Sequence, residues 1–195
     1  MLFLSFIVIL LLAVASLANF TLDDLLSACT SNSVDKVDEI LKSNKKWLNT
    51  KMGSGKQTPI MAATLSGSYD VVQYLLSKGA NVKIGEKDGY TPMHGAAFQG
   101  RANIAKLLLD HGLDPTARHR DGYSPFHRAA WGTEQRHTDT VRVFLEHGVS
   151  VDTVASDGST AYQFSRNPAT KVLLAEWRQK SEKASELSNK APDEL

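Results

Sequence analysis

Nucleotide, metal and thiol chemistry are each suggested by a few residues of this chain. Residues 53–58 read G-S-G-K-Q-T, and a glycine-rich turn followed by lysine is the material of a phosphate-binding loop. That loop needs a glycine where Thr50 stands and a Mg²⁺-binding Ser or Thr where Gln57 follows Lys56, so nucleotide binding is not expected. Six histidines raise the question of a metal. His94 and His127 end the stretches Thr91-Pro92-Met93-His94 and Ser124-Pro125-Phe126-His127, where the ring helps to satisfy groups at a turn. His111 and His147 each precede a glycine, at the expected end of a helix, where partial positive charge suits the dipole. These are repeated structural positions, and no cysteine or carboxylate ligands lie at metal spacing around them. Neither a G-x-S-x-G elbow nor an H-E-x-x-H helix is present. Cys29 lies on an apolar stretch, where a thiol is buried and inert. No catalytic, cofactor-binding or metal site is expected, and an enzyme is disfavoured.

The chain that carries these residues has 195 of them, 42% hydrophobic and 22% charged, with 22 basic against 21 acidic side chains. Its length supports one domain with a tail. A net charge of +1 and a pI near 7.9 provide no broad basic field for a phosphate backbone, so nucleic acid is not an expected partner. One cysteine excludes an intramolecular disulfide.

Self-comparison reveals the organisation. Thr58-Pro59, Thr91-Pro92 and Ser124-Pro125 recur every 33 residues, and Thr160-Ala161 follows after 36. Residues 89–100 match residues 122–133 at six of twelve positions. In the unit from residue 86, Thr91 caps a helix with Pro92 at its first position, and Gly100 ends it. Ile104, Leu107 and Leu108 form the stripe of a second helix that stops at His111-Gly112. Val71, Val72 and Leu75 before it, and Val141, Phe144 and Leu145 after it, repeat the scheme. Such a pair cannot bury its apolar face alone, so the units must stack. Residues 20–52 and 155–178 read as end caps around units 53–85, 86–118 and 119–154. The three extra residues of the fourth unit fall in Gly132–Thr140 and are expected to lengthen the loop between its helices.

The period, the T-P-x-H-x-A core and the downstream pattern together resemble the ankyrin repeat over about residues 20–178. The resemblance implies an all-α solenoid of helix-turn-helix repeats with projecting β-turns. It also implies a protein partner, met by the turn tips and by the first helices on a concave side. Leu65 with Ser66, Phe98 with Gln99, and Trp131 with Gly132 then follow the paired small residues of successive units. Tyr90 and Tyr123 flank them at the turns, and Arg128 completes the candidate protein-binding set. The large side chains either face a groove, where they cost solubility unless covered, or pack against their own turns. Residues 118–147 hold five arginines against four carboxylates, and His119, His127, His137 and His147 would add charge on mild acidification, tightening the hold on an acidic partner.

The two ends suggest an address. Residues 2–12, L-F-L-S-F-I-V-I-L-L-L, are followed by Ala13, Ala15, Ser16 and Ala18, the order of a secretory signal peptide cleaved after Ala18 or Ala15. The segment lacks a basic residue ahead of the apolar run, and an uncleaved anchor is the alternative. Either form could leave the folded part translocated, since Asp23 and Asp24 follow without a retaining positive charge; a cytosol-facing, membrane-tethered adaptor needs the reverse orientation. Residues 179–195 read as a flexible polar tail. Its end, Pro192-Asp193-Glu194-Leu195, matches the K-D-E-L retrieval signal except at its first position, and would engage a retrieval receptor of the endoplasmic reticulum. Secretion is the alternative. Asn19-Phe20-Thr21 is a glycosylation sequon beside the cleavage site, read more as coincidence than as a site.

Overall fold

In the computed structural model, which describes residues 19–190, five helix pairs follow one another along the chain. They are α1 (Leu22–Thr30) with α2 (Val34–Ser43), α3 (Pro59–Ser66) with α4 (Tyr69–Ser77), α5 (Pro92–Phe98) with α6 (Ala102–Asp110), α7 (Pro125–Trp131) with α8 (Gln135–Glu146), and α9 (Ala161–Phe164) with α10 (Pro168–Lys190). A short 3₁₀ turn, Lys45–Asn49, follows the first pair. The described residues hold no strand, only isolated antiparallel bridges at Met52–Gln57 and Val154–Thr160. The signal segment, residues 1–18, and the terminal Pro192–Leu195 lie outside the described residues.

Thr58, Thr91, Ser124 and Thr160 all stand at N-cap positions in extended backbone, as the recurrence of Thr-Pro, Ser-Pro and Thr-Ala predicts. They differ in what the hydroxyl does. Those of Thr58 and Thr160 accept the main-chain N–H groups of Met61 and Gln163, both at 3.4 Å. Those of Thr91 and Ser124 bond instead to Nδ1 of His94 and His127, at 2.9 and 2.7 Å, so the histidine replaces the helix as the hydroxyl's partner. The second helices stop alike. Gly79, Gly112 and Gly148 have φ of +79°, +78° and +86°, and the next residue's N–H returns to Leu75, Leu108 or Phe144, closing the helix with a left-handed glycine. His111 and His147 stand one position earlier and direct Nδ1 to the carbonyls of Leu107 and Val143, at 2.8 and 2.7 Å.

One core runs the length of the stack. Leu25, Ile40, Ile60, Val71, Leu75, Ile104, Leu108, Phe126 and Phe144 are fully buried within it, and Leu174 is nearly so. Ala63, Ala96, Ala97, Ala129 and Ala130 are also fully buried, so the first helices meet through small residues. Polar bonds register one unit on the next: Asn32 receives the N–H of Val71 and donates to Asp70, and the Tyr74 hydroxyl donates to Asp38 at 2.6 Å. At the far end, Tyr162 takes the position of Ile60, Met93 and Phe126, yet it is 42% exposed, since among the described residues no further unit covers it.

Two expectations are corrected here. The three extra residues of the fourth unit do not lengthen its loop: Gly132–Glu134 joins α7 to α8 with as many residues as Gln99–Arg101 joins α5 to α6. They lengthen the second helix, which has 12 residues in α8 against 9 in α6. The added turn is held by buried polar groups. His137 accepts the Glu134 N–H at Nδ1 and places Nε2 3.1 Å from the Phe98 carbonyl, while Thr138 bonds Thr170 and receives the Asn167 amide. Residues 179–190 are also not a loose tail, because α10 continues through them to Lys190. Their Ala, Glu, Lys and Gln residues are strong helix formers, and a helix already nucleated on the core by Leu173 and Leu174 propagates at little cost.

Gly132 makes the added turn possible. A Cβ there would overlap the His137 ring. Gly132→Ala is therefore expected to cost about 2 kcal/mol or more by displacing His137. Gly148→Ala meets no atom within 4 Å and bears only the strain of its positive φ, about 1 kcal/mol. Denaturant unfolding of the two variants checks the order, and a Gly132→Ala protein of unchanged stability would contradict it.

Candidate functional site

The first helices α3, α5, α7 and α9 lie side by side, and the turns before them rise beyond their N-termini. The turns before α5, α7 and α9 each contain Asp-Gly, whereas the turn before α3 is closed by the Met52–Gln57 bridge. In the third unit the Glu86 N–H reaches the Tyr90 carbonyl and the Gly89 N–H reaches Glu86; His119 with Tyr123, and Ala155 with Ser159, repeat this at 3.0 and 2.9 Å. Neighbouring turns are then joined by side chains. The Tyr90 hydroxyl donates to Asp121 at 2.6 Å, and the Tyr123 hydroxyl donates to Asp157 at 2.9 Å. The guanidinium of Arg128 lies 5.3 and 5.4 Å from the two tyrosine rings, donates to the Tyr90 hydroxyl at 3.0 Å and pairs with Asp121. Burial pushes the Asp121 carboxyl up, but the Tyr90 hydroxyl, the Tyr123 N–H and Arg128 outweigh it and hold it near 2.

Between these turns and the ends of the first helices runs a groove with two adjoining clefts. The first, about 370 Å³, is lined by Met61, Leu65, Tyr90, Gly95, Phe98, Gln99 and Arg128, with Glu86 and Asp88 at its turn side. The second, about 230 Å³, shares Phe98 and Arg128 and adds Trp131, Gly132, His137 and Arg166. Phe98 is 48% exposed and Trp131 36%, with ring centres 6.1 Å apart. These two rings therefore face the groove and are not core. Leu65 is half-buried beside Gly95.

A model of ankyrin repeats, in three copies, matches residues 25–119 and 82–155. The chain belongs to the ankyrin repeat family. None of the curated proteins compared with it matches. Ankyrin repeats are in general protein-interaction modules and typically not enzymes, which gives the groove of this array its context.

The array brings Leu65, Tyr90, Phe98, Gln99 and Arg128 to one cleft and Trp131 to the next, while Ser66 and Tyr123 line neither. Tyr90, Tyr123 and Arg128 spend their polar groups on joining turns, so they differ from the free contact residues their position suggested. Phe164 escaped the sequence reading. Its ring stacks on Tyr123 at 4.7 Å and lies 6.3 Å from Trp131, extending the aromatic row into the fifth unit. The signal was its register, four residues after Thr160 as Arg128 is four after Ser124. Arg166 was missed for the same reason, since the last unit read only as a cap. Residues 53–56 form the turn tip enclosed by the Met52–Gln57 bridge and Thr58 caps α3, and among the described residues no three His, Cys, Asp or Glu side chains converge as metal ligands. Cys29 is fully buried, and burial pushes its thiol up to about 12.

Acidification acts on this array differently from the charge count. His127 is fully buried and His94 is 5% exposed, and Nε2 of each lacks a hydrogen-bond partner. Burial, and next the neighbouring His119, push His94 down from 6.5 to about 4, and burial pushes His127 down too. His127 therefore does not supply surface charge in mild acid. Since the unfolded chain takes up these protons first, stability is complete above about pH 6.5 and is lost as pH falls towards 4. His94→Gln, which copies the pairing of Gln163 with Thr160 in the fifth unit, is expected to keep the cap and flatten this dependence. Unfolding midpoints between pH 7 and 4.5 test it. The wild-type slope should approach about 1 kcal/mol per pH unit, and an equal slope in His94→Gln would refute the assignment.

Proposed function

We propose that this ankyrin array is a non-enzymatic scaffold of the secretory pathway that holds a protein partner in the groove between its turn tips and first helices. The observation that carries this reading is the exposed pair Phe98 and Trp131, continued by Leu65 and Phe164 across neighbouring units. Apolar rings aligned along a groove lose contact with water when a partner covers them, and aromatic anchors at the centre of an interface carry much of its energy. Gln99 lies beside them. Tyr90, Tyr123 and Arg128 fix the turn tips against one another and present a rigid wall, which lowers the ordering cost of binding. The address rests on the apolar segment ending at Ala18 and on Asp193-Glu194-Leu195, which together suit a resident of the endoplasmic reticulum.

Phe98→Ala and Trp131→Ala are each expected to weaken partner binding by about 2 kcal/mol or more. Their stability losses should stay below the roughly 3–5 kcal/mol of a core aromatic. Thermal unfolding and titration with the partner, captured from lumenal extract on the intact protein, give both quantities from the same variants. Unchanged affinity in both would move the interface off the groove.

Deleting Asp193–Leu195 should release the folded protein into the medium, and the mature chain should begin near Asn19. Retention of the folded truncated form, or a full-length chain that keeps Met1, would overturn this address. Protease protection in microsomes separates it from a cytosol-facing, membrane-tethered adaptor.

A further inference from the structure

The groove is electrically lopsided. Glu86 and Asp88 line the cleft on the side of the second and third units, and Arg166 lines the cleft beside Trp131 on the side of the fifth. The cation that both clefts share, Arg128, is already paired with Asp121 and bonded to Tyr90, so it has little charge left to offer. Glu86 is likewise engaged, its carboxylate receiving the N–H groups of Asp88 and Tyr90. Arg166 is different: it is exposed and, among the described residues, forms no hydrogen bond or ion pair. An unpaired guanidinium beside an exposed Trp and Phe is a place for a carboxylate next to an apolar side chain. The carboxylates at the other end repel a second acid there, so a long polyanion does not fit the groove as a whole.

Resting on the groove reading above, we infer that the partner is a peptide segment bound in one direction. An apolar side chain fills the cleft between Phe98 and Trp131, a carboxylate follows it towards Arg166, and a neutral or basic residue faces Glu86 and Asp88. The size of the second cleft, about 230 Å³, suits one aromatic or long aliphatic side chain. Gly95 keeps the first cleft open, because a Cβ there would come within 3.2 Å of both Leu65 and Met61.

The test selects a displayed library of random twelve-residue peptides on the intact protein, then measures the enriched peptides in solution against variants. Enriched sequences should carry an Asp or Glu close to an aromatic or aliphatic residue, with Lys, Arg or uncharged residues on the opposite side. Arg166→Glu should weaken them by about tenfold or more, Arg166→Lys by much less, and selection on Arg166→Glu should replace the acid by a base. Asp88→Lys should relax the demand at the other end. Thermal unfolding shows that these surface variants remain folded. Peptides that depend on Phe98 but lack the acid, or bind Arg166→Glu as well as wild type, overturn the directional reading and leave the groove standing. Peptides indifferent to Phe98→Ala, or no binders at all, count against the groove as well.

Discussion

Close approach of the first helices is the constraint on which the rest of this array depends. Ala63-Thr64, Ala96-Ala97 and Ala129-Ala130 are fully buried where one unit meets the next, and larger side chains there would force the helices apart. Because the spacing is short, Tyr90 reaches Asp121 and Tyr123 reaches Asp157 across the unit boundary with hydroxyl bonds below 3 Å. The same spacing sets the ring centres of Phe98 and Trp131 about one ring's width apart. The groove, the joined turns and the continuous core are thus three results of one packing distance.

What could be read from the residues is what that packing repeats. The Thr-Pro and Ser-Pro spacing located the first helices of the second to fourth units, and apolar stripes such as Ile104, Leu107 and Leu108 located the second helices. These signals are local and cooperative, since capping, proline placement and periodicity favour the same conformation. The destination of the three extra residues was not legible. It was decided by His137, whose ring crosses above Gly132 to the carbonyl of Phe98, a bond between residues 39 apart in sequence. The end of α10 was misjudged for a different reason. Polarity alone suggested a loose tail, whereas residues 179–190 continue a helix already nucleated on the core. Of the candidate site, the positions were legible and the polar roles were not: Arg128 looks free in a linear pattern, and only folding brings Asp121 and two tyrosine rings to it.

The histidines show how a structural position can resemble a functional one. His94 and His127 recur in register, and each takes the hydroxyl of the residue three before it, the bond that the helix N-terminus takes in the second and fifth units. The ring then fills space between turns, with a neighbouring ring at 5.8 Å for His94 and 6.3 Å for His127. Burial keeps both neutral near neutral pH, so their contribution is to geometry, and it turns into a liability when the unfolded chain can take the proton.

One register position carries most of what distinguishes the units of this array. Ala62, Gly95, Arg128 and Phe164 occupy the same place in the second to fifth units, between a capped turn and the end of a first helix. The residue two before it fills the core as Ile60, Met93 and Phe126, and in the last described unit it is the part-exposed Tyr162. The residue after it packs against the next unit and stays small, as Ala63, Ala96, Ala129 and Ser165. Position 62 and its equivalents differ in chemistry from unit to unit: Ala62 is buried in the core and Gly95 is buried against Leu65 and Met61, whereas Arg128 and Phe164 reach towards the turns. Glycine there opens a cleft, arginine joins two turns, and phenylalanine continues the aromatic row past Asn167, which fills the place of Trp131 but is tied to Glu134 and Thr138. The repeat holds the backbone constant, and the groove acquires its shape from the residues that differ at this register and its uneven charge from Glu86, Asp88 and Arg166 around it.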